Sequence, residues 1–129
     1  MNGHAKILFV FAALFNVAVG LSWLVAFPLV QNLMQLAPAE GSNRMILNIC
    51  AVLVLTFGYA YYMVSRDPVK YRPYAVLGTI GKLAVVAVVL PVIIQGGQGY
   101  ILGWVAMGDL VFALLFAHFL KTHPAGSAA

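Results

Sequence analysis

The sequence carries very little charge. Only 8% of its 129 residues are Asp, Glu, Lys or Arg, whereas 64% are hydrophobic. The mean hydropathy is +0.99, a value outside the range of soluble proteins. The scarcity of charge therefore excludes an ordinary soluble domain and predicts an integral membrane protein.

Cysteine and acidic residues are scarce as well, which limits the chemistry that the chain can perform. The single cysteine, Cys50, cannot form an intrachain disulfide and is predicted to be a buried apolar residue. The three acidic residues form no carboxylate pair, and the sequence has no nucleophile–base arrangement, phosphate-binding loop or Cys-x-x-Cys motif. His118 has no second histidine at a matching depth, so no metal or haem site is predicted. We expect no catalytic residue and no cofactor, and we favour a protein that is not an enzyme.

Long hydrophobic runs make up most of the chain. Each of them has about the 20 residues that a helix needs to cross ~30 Å of hydrocarbon. The four runs are 7–30, 45–64, 74–94 and 100–120. They predict an all-α fold, in which a single domain forms an integral membrane four-helix bundle.

Two segments lie outside the predicted helices. In residues 31–44, Leu33, Met34 and Leu36 alternate with polar side chains, which is consistent with an external loop or with a short helix at the membrane interface. Both interpretations stay open. Residues 122–129 are small or polar and are predicted to form a flexible tail.

The basic residues indicate the orientation of the chain. Lys6 precedes the first run, three basic residues separate the second run from the third, and Lys121 follows the fourth. Cytoplasmic segments of membrane proteins carry an excess of Lys and Arg, so both termini are predicted to be cytoplasmic. Because the net charge of +4 comes from these helix ends, it does not indicate a nucleic-acid partner.

Two opposite charges fall in the middle of apolar runs. A charged side chain at the centre of a membrane costs about 3 kcal/mol on insertion scales and usually faces the interior of a bundle. Lys82 and Asp109 lie at similar depths, and a connection of about five residues makes their helices antiparallel neighbours. The sequence therefore predicts a buried ion pair between them.

Asn16 and Thr56 are expected at the same depth, by a count of ~1.5 Å per helical residue. The predicted polar cluster thus consists of Lys82, Asp109, Asn16 and Thr56. It has two interpretations that the sequence leaves open. The cluster either fixes the register of the helices, or it lines a cavity that binds a ligand or carries a proton.

Short motifs in three of the runs, and one directly after the second run, resemble those of small bacterial four-helix membrane proteins of the DoxX-like type. These motifs are Phe15-Asn16 with Gly20, Ser65-Arg66-Asp67-Pro68, Leu77-Gly78 with Gly81-Lys82, and Gly108-Asp109-Leu110. The resemblance implies a multi-pass bundle in the bacterial inner membrane. It assigns no reaction to Lys82 or Asp109, and the redox associations of DoxX-like proteins do not transfer without a cofactor site.

Two functions remain as hypotheses. In the first, the bundle is an accessory subunit of a membrane complex, or it binds a lipophilic molecule such as a lipid, a quinone or an isoprenoid in an apolar groove lined by Trp23, Phe112 and Phe116. In the second, a homo-oligomer acts as a small transporter or channel that uses the Lys82–Asp109 pair. An intramembrane enzyme ranks below both, because a carboxylate that is paired with a lysine is a poor acid.

Overall fold

All regular structure in the described part of the chain, residues 2–124 of the computed structural model, is helical. The helices are α1 (Asn2–Val25), α2 (Phe27–Met34), α3 (Ser42–Arg66), α4 (Arg72–Gln95), α5 (Tyr100–Ala106) and α6 (Gly108–Thr122). Four stretches are long and apolar enough to cross a membrane, namely Gly3–Val25, Ser42–Arg66, Arg72–Gln95 and Tyr100–Thr122. The predicted all-helical chain with four long apolar helices is therefore confirmed. The orientation of the helices in a membrane stays a prediction, and most of the predicted tail lies outside the described residues.

The first predicted span is interrupted before its end. Helix α1 stops at Val25, and the short helix α2 begins at Phe27 with Pro28 in its first turn. Proline suits that position because the missing N–H would have no partner within the helix. The proline therefore starts a second helix inside the run 7–30, which the sequence predicts to be a single span. Part of the 31–44 segment is thus helical, up to Met34, and the chain leaves the helix at Gln35, whose φ is 56°.

The fourth predicted span is present as two consecutive helices that meet at Met107. The N–H of Met107 is shared between the carbonyls of Gly103 and Trp104, at 3.0 and 3.2 Å, and the N–H of Leu110 bonds the carbonyl of Met107 at 3.0 Å. These bonds form a tighter, three-residue turn. As a result, α6 begins one residue before Asp109.

The long helices form two antiparallel hairpins. The first hairpin consists of α1 and α3, and the second consists of α4 with α5 and α6. Close backbone approach holds the first hairpin together, because a Cβ atom on Gly20 would lie 2.6 Å from a carbon of Leu55. In lipid, where packing drives helix association, such close contacts are a main source of stability.

An aromatic core joins the two hairpins in the half of the bundle that holds the start of α1 and the end of α6. Phe9 of the first hairpin stacks on Phe116 of the second, with ring centroids 4.5 Å apart. Phe119 contacts Phe9 edge-on at 5.2 Å, and Tyr61 contacts Phe116 at 5.1 Å. In the other half of the bundle, an open cleft lies between the hairpins.

Each hairpin is closed by an arginine at the first turn of one helix. The guanidinium of Arg44 donates to the carbonyls of Trp23 and Leu24 at the end of α1, at 3.4 and 3.0 Å. Arg72 donates to the carbonyl of Leu120, at 3.1 Å, and to that of His123 at the end of α6. The last carbonyls of a helix have no partner within it and carry partial negative charge. The arginines therefore cap the neighbouring helix.

We expect Arg72→Ala to lower the free energy of unfolding by about 1–2 kcal/mol, because two charge-assisted hydrogen bonds to α6 are lost. The measurement is an unfolding titration with SDS in mixed micelles. Arg66→Ala is the matched control, since Arg66 is an exposed residue at the same end of the bundle. Equal stability of the two variants would show that the cap contributes nothing.

Candidate functional site

Lys82 and Asp109 form the predicted ion pair. The Nζ atom of Lys82 lies 2.7 Å from Oδ1 of Asp109, and the two side chains are 4% and 15% exposed. The pair joins the two helices of the second hairpin, α4 and α6. It is buried deeply enough that each charge depends on the other for its stability.

Asn16 brings the first hairpin into the same cluster. Its side-chain oxygen accepts a hydrogen bond from Nζ of Lys82 at 3.4 Å, while its nitrogen donates to the backbone carbonyl of Val54 at 3.1 Å. The second bond orients the amide, so that its oxygen faces the lysine. Lys82, Asp109 and Asn16 are called the Lys82 cluster below.

Aromatic rings from three helices surround the ammonium group of Lys82. The centroids of four rings lie within about the 6 Å over which a cation is attracted to a ring face. They belong to Phe112 at 5.1 Å, Tyr61 at 5.2 Å, Phe15 at 5.5 Å and Phe116 at 6.0 Å. The rings exclude solvent from the ammonium and contribute to its stabilisation.

The local sequence explains how these groups come together. Asp109 lies in the first turn of α6, directly after the three-residue turn at Met107. Gly78 lies one turn before Lys82, and any side chain there would collide with the ring of Tyr61. The glycine therefore lets Tyr61 reach the second hairpin beside the ammonium group.

Thr56 does not belong to the Lys82 cluster, although the sequence predicted it there. Its side chain is exposed, and its hydroxyl donates to the carbonyl of Val52 in its own helix at 2.8 Å. The prediction considered only the depth of Thr56 in the membrane and not the side of the helix on which it lies. Thr56 lies on a different face of α3 from Gly58 and Tyr61, which are buried against the other helices.

A cleft of about 370 Å³ begins at the Lys82 cluster and runs between the two hairpins, away from the aromatic core. Its walls are almost entirely apolar. The first hairpin contributes Val19, Trp23, Leu53 and Val54, and the second contributes Val85, Val89, Leu102 and Val105. Only its inner end, where Lys82, Asp109, Asn16 and Tyr61 meet, presents polar atoms of ordinary hydrogen-bonding strength.

The three residues that were predicted to line an apolar groove have different locations. Trp23 lines the cleft. Phe116 is fully buried in the aromatic core, and Phe112 packs on Phe15 beside the ammonium group, with ring centroids 5.4 Å apart. Cys50 also departs from its prediction, because it is exposed and lines the cleft.

Tyr61 is the residue of this site that the sequence did not reveal. Tyrosines near the end of an apolar run are more often part of an aromatic belt at the membrane interface than of a binding site, and the sequence alone predicts that role for Tyr59, Tyr61 and Tyr62. Tyr59 and Tyr62 are indeed 63% and 47% exposed, whereas Tyr61 is 2% exposed. Its helical spacing from Gly58, which marks the buried face of α3, is the signal that could have distinguished it.

The polar groups of the cleft are those of an ion pair, an amide and a phenol. The opposite charges of Lys82 and Asp109 cancel, and both side chains line the cleft beside Asn16 and Tyr61. Residues 2–124 contain no group of three or more His, Cys, Asp or Glu side chains that could hold a metal ion. The cleft therefore offers a neutral polar end and an apolar channel.

Comparisons with family models, curated proteins and solved structures gave no match to this chain.

Proposed function

We propose that this chain is a multi-pass protein of the bacterial inner membrane that binds a lipophilic molecule, such as a lipid, a quinone or an isoprenoid, between its two hairpins. The observation that carries the proposal is the apolar cleft that ends on the Lys82 cluster. The DoxX-like resemblance of the motifs around Asn16, Lys82 and Asp109 is part of the same proposal.

The surface of the helices supports a location within a membrane. Large apolar side chains are strongly exposed on every long helix, among them Phe11 at 61%, Val25 at 79%, Val88 at 73% and Ile94 at 76%. Apolar patches of this extent are avoided on soluble monomers. The basic residues at the start of α1 and the end of α6 then face the cytoplasm under the positive-inside rule.

The shape and polarity of the cleft support binding of a small lipophilic molecule. Ligand pockets are usually ~300–1,000 Å³ in volume, lined by apolar side chains and supplied with a few polar groups that fix orientation. The cleft has these properties, since its volume is about 370 Å³ and its polar atoms lie at one end. An apolar chain would fill the channel while a polar head reaches the Lys82 cluster.

The pairing of the two charges favours binding over transport. A transporter or channel needs water or ions to reach Lys82 and Asp109, but the side chain of Lys82 is 4% exposed and its ammonium group is already paired. A role as an accessory subunit is compatible with the proposal, because a bound lipophile can be presented to a partner protein.

The proposal predicts that the protein leaves the membrane with a bound hydrophobic molecule, and that a side chain placed in the cleft removes it. Gly81 lines the cleft, and a Cβ there would meet Phe57 at an ordinary contact distance of 3.7 Å. Gly81→Leu should therefore fold and occupy the cleft. Native mass spectrometry of the protein released from mild detergent should show the added mass for the unmodified chain and its loss in Gly81→Leu.

Ala84→Leu is the matched control, because Ala84 is an exposed residue of the same helix and does not line the cleft. This variant should retain the bound molecule. If the unmodified protein carries no added mass, or if Gly81→Leu and Ala84→Leu retain it equally, the cleft is not a binding site.

A further inference from the structure

Two polar groups at the inner end of the cleft are not used by the protein itself. Oδ1 of Asp109 contacts Lys82, but the second carboxylate oxygen, Oδ2, makes no hydrogen bond within residues 2–124. The hydroxyl of Tyr61 likewise makes none in that part of the chain, although the residue is 2% exposed. Both side chains line the cleft. Each group is therefore free to form a hydrogen bond with a molecule in the cleft.

The two groups make complementary demands on that partner. An ionised carboxylate oxygen only accepts hydrogen bonds, so its partner must be a donor. A tyrosine hydroxyl donates most readily, so its partner must present an acceptor. Both side chains lie beside the same ammonium group, with the ring of Tyr61 at 5.2 Å and Oδ1 of Asp109 at 2.7 Å. A single head group that donates and accepts at one atom would satisfy both.

The charges of Lys82 and Asp109 further limit which head groups the ligand can carry. Lys82 and Asp109 together carry no net charge, so an anionic head would meet the free oxygen of Asp109 without a compensating cation. A cationic head would meet the ammonium of Lys82 inside its ring cage. A wholly apolar molecule would displace water and leave Oδ2 and the tyrosine hydroxyl unpaired, which is unfavourable for buried polar groups.

We infer that the ligand is an uncharged lipophile whose head is a hydroxyl group, donating to Asp109 and accepting from Tyr61, with its apolar chain along the cleft towards Trp23. This inference rests on the proposed function of the cleft and adds the chemical class of the ligand. A long-chain alcohol is the simplest molecule of this class.

The fluorescence of the two tryptophans provides a test, because Trp23 reports on the cleft and Trp104 does not. Trp23 lines the cleft roughly 10 Å further along α1 than Asn16, whereas Trp104 is 61% exposed and does not line it. Trp104→Phe leaves Trp23 as the only tryptophan, and Trp23→Phe leaves Trp104. With the protein in phosphatidylcholine vesicles, 9,10-dibromo-octadecan-1-ol should quench Trp23 more strongly than Trp104, because bromine quenches at short range.

Unbrominated competitors then test the head group in the Trp104→Phe protein. Octadecan-1-ol should relieve the quenching at a concentration at least about tenfold lower than its methyl ether, which cannot donate to a charged acceptor. Octadecanoate and octadecane should be weaker than the alcohol. Tyr61→Phe, which keeps the ring, should weaken the alcohol and the ether several-fold and leave octadecane unchanged.

Two negative results have different meanings. Equal relief by all four competitors, or strongest relief by octadecanoate or octadecane, would overturn the hydroxyl inference while keeping the cleft as a binding site. Equal quenching of Trp23 and Trp104 would overturn the proposed function itself. If Tyr61→Phe does not fold, the order of the four competitors still decides the inference.

Discussion

Replacing Asp109 with leucine is expected to lower the free energy of unfolding by about 3–5 kcal/mol, because the ammonium of Lys82 is left buried without its counter-ion. Lys82→Met should cost a similar amount, since it leaves the carboxylate of Asp109 unpaired. The remaining partners of the ammonium are four rings and an amide oxygen at 3.4 Å, which are weaker than an ionised carboxylate at 2.7 Å. Unfolding in SDS mixed micelles measures the loss.

The variant that carries both changes tests whether the two charges stabilise each other or whether the site simply requires polar residues. Two apolar residues of similar volume often replace a buried ion pair without loss of stability. Lys82→Met with Asp109→Leu should therefore recover most of the stability that either single change removes, which gives a large coupling energy. Additive losses in the double variant would show that the two charges do not stabilise each other.

The second large effect is expected in the aromatic core. Phe9→Ala removes the ring that stacks on Phe116 at 4.5 Å and contacts Phe119 at 5.2 Å. In water, such a change costs ~3–5 kcal/mol, part of which is the transfer of the side chain out of water. Lipid is itself apolar, so only the lost packing and the cavity remain, and we expect a loss of about 2–3 kcal/mol.

Phe11→Ala is the control for this change, because Phe11 lies in the same helix and is 61% exposed, whereas Phe9 is fully buried. Its loss of stability in the same SDS titration should be small, within about 0.5 kcal/mol, as for surface substitutions. Similar losses for Phe9→Ala and Phe11→Ala would mean that the aromatic core does not hold the two hairpins together.

The pair Phe9 and Phe11 also shows why the fold was easier to predict than the site. Hydropathy and length identify four spans without any knowledge of which face is buried, and residues 2–124 contain four helical stretches of that kind. In a membrane, however, apolar residues occupy both the inner and the outer faces of a helix. The periodicity that separates core from surface in soluble proteins is therefore largely lost.

The polar residues, unlike the apolar ones, indicated which face of each helix is buried in the bundle. Lys82, Asp109 and Asn16 were predicted to meet and do so, since burying a polar side chain requires a partner. Thr56 does not join these residues, because a threonine hydroxyl can donate a hydrogen bond to a carbonyl of its own helix, as Thr56 does to Val52. A threonine therefore gives no information about which face of a helix is buried.

The cleft itself could not be predicted from the sequence. It depends on the separation of the hairpins beyond the aromatic core, which is a property of tertiary packing. The surroundings of Tyr61 and Cys50 were predicted wrongly for the same reason. Hydropathy does not distinguish a tyrosine of an aromatic belt, or a buried cysteine, from the same residue lining a cleft. A glycine such as Gly78, which lies one turn before the buried lysine, was the nearest available signal for close contact between the hairpins.

The central claim is that a lipophilic molecule occupies the space between the hairpins and ends on Lys82 and Asp109. A structure of crystals grown from a lipid phase with 9,10-dibromo-octadecan-1-ol tests this claim most directly, since anomalous scattering locates the bromine atoms. The claim predicts a bromine signal inside the cleft, between Trp23 and Val89, and a head group at Asp109. Bromine signals only on the outer surfaces of the helices, with the cleft closed or filled by protein side chains, would contradict it.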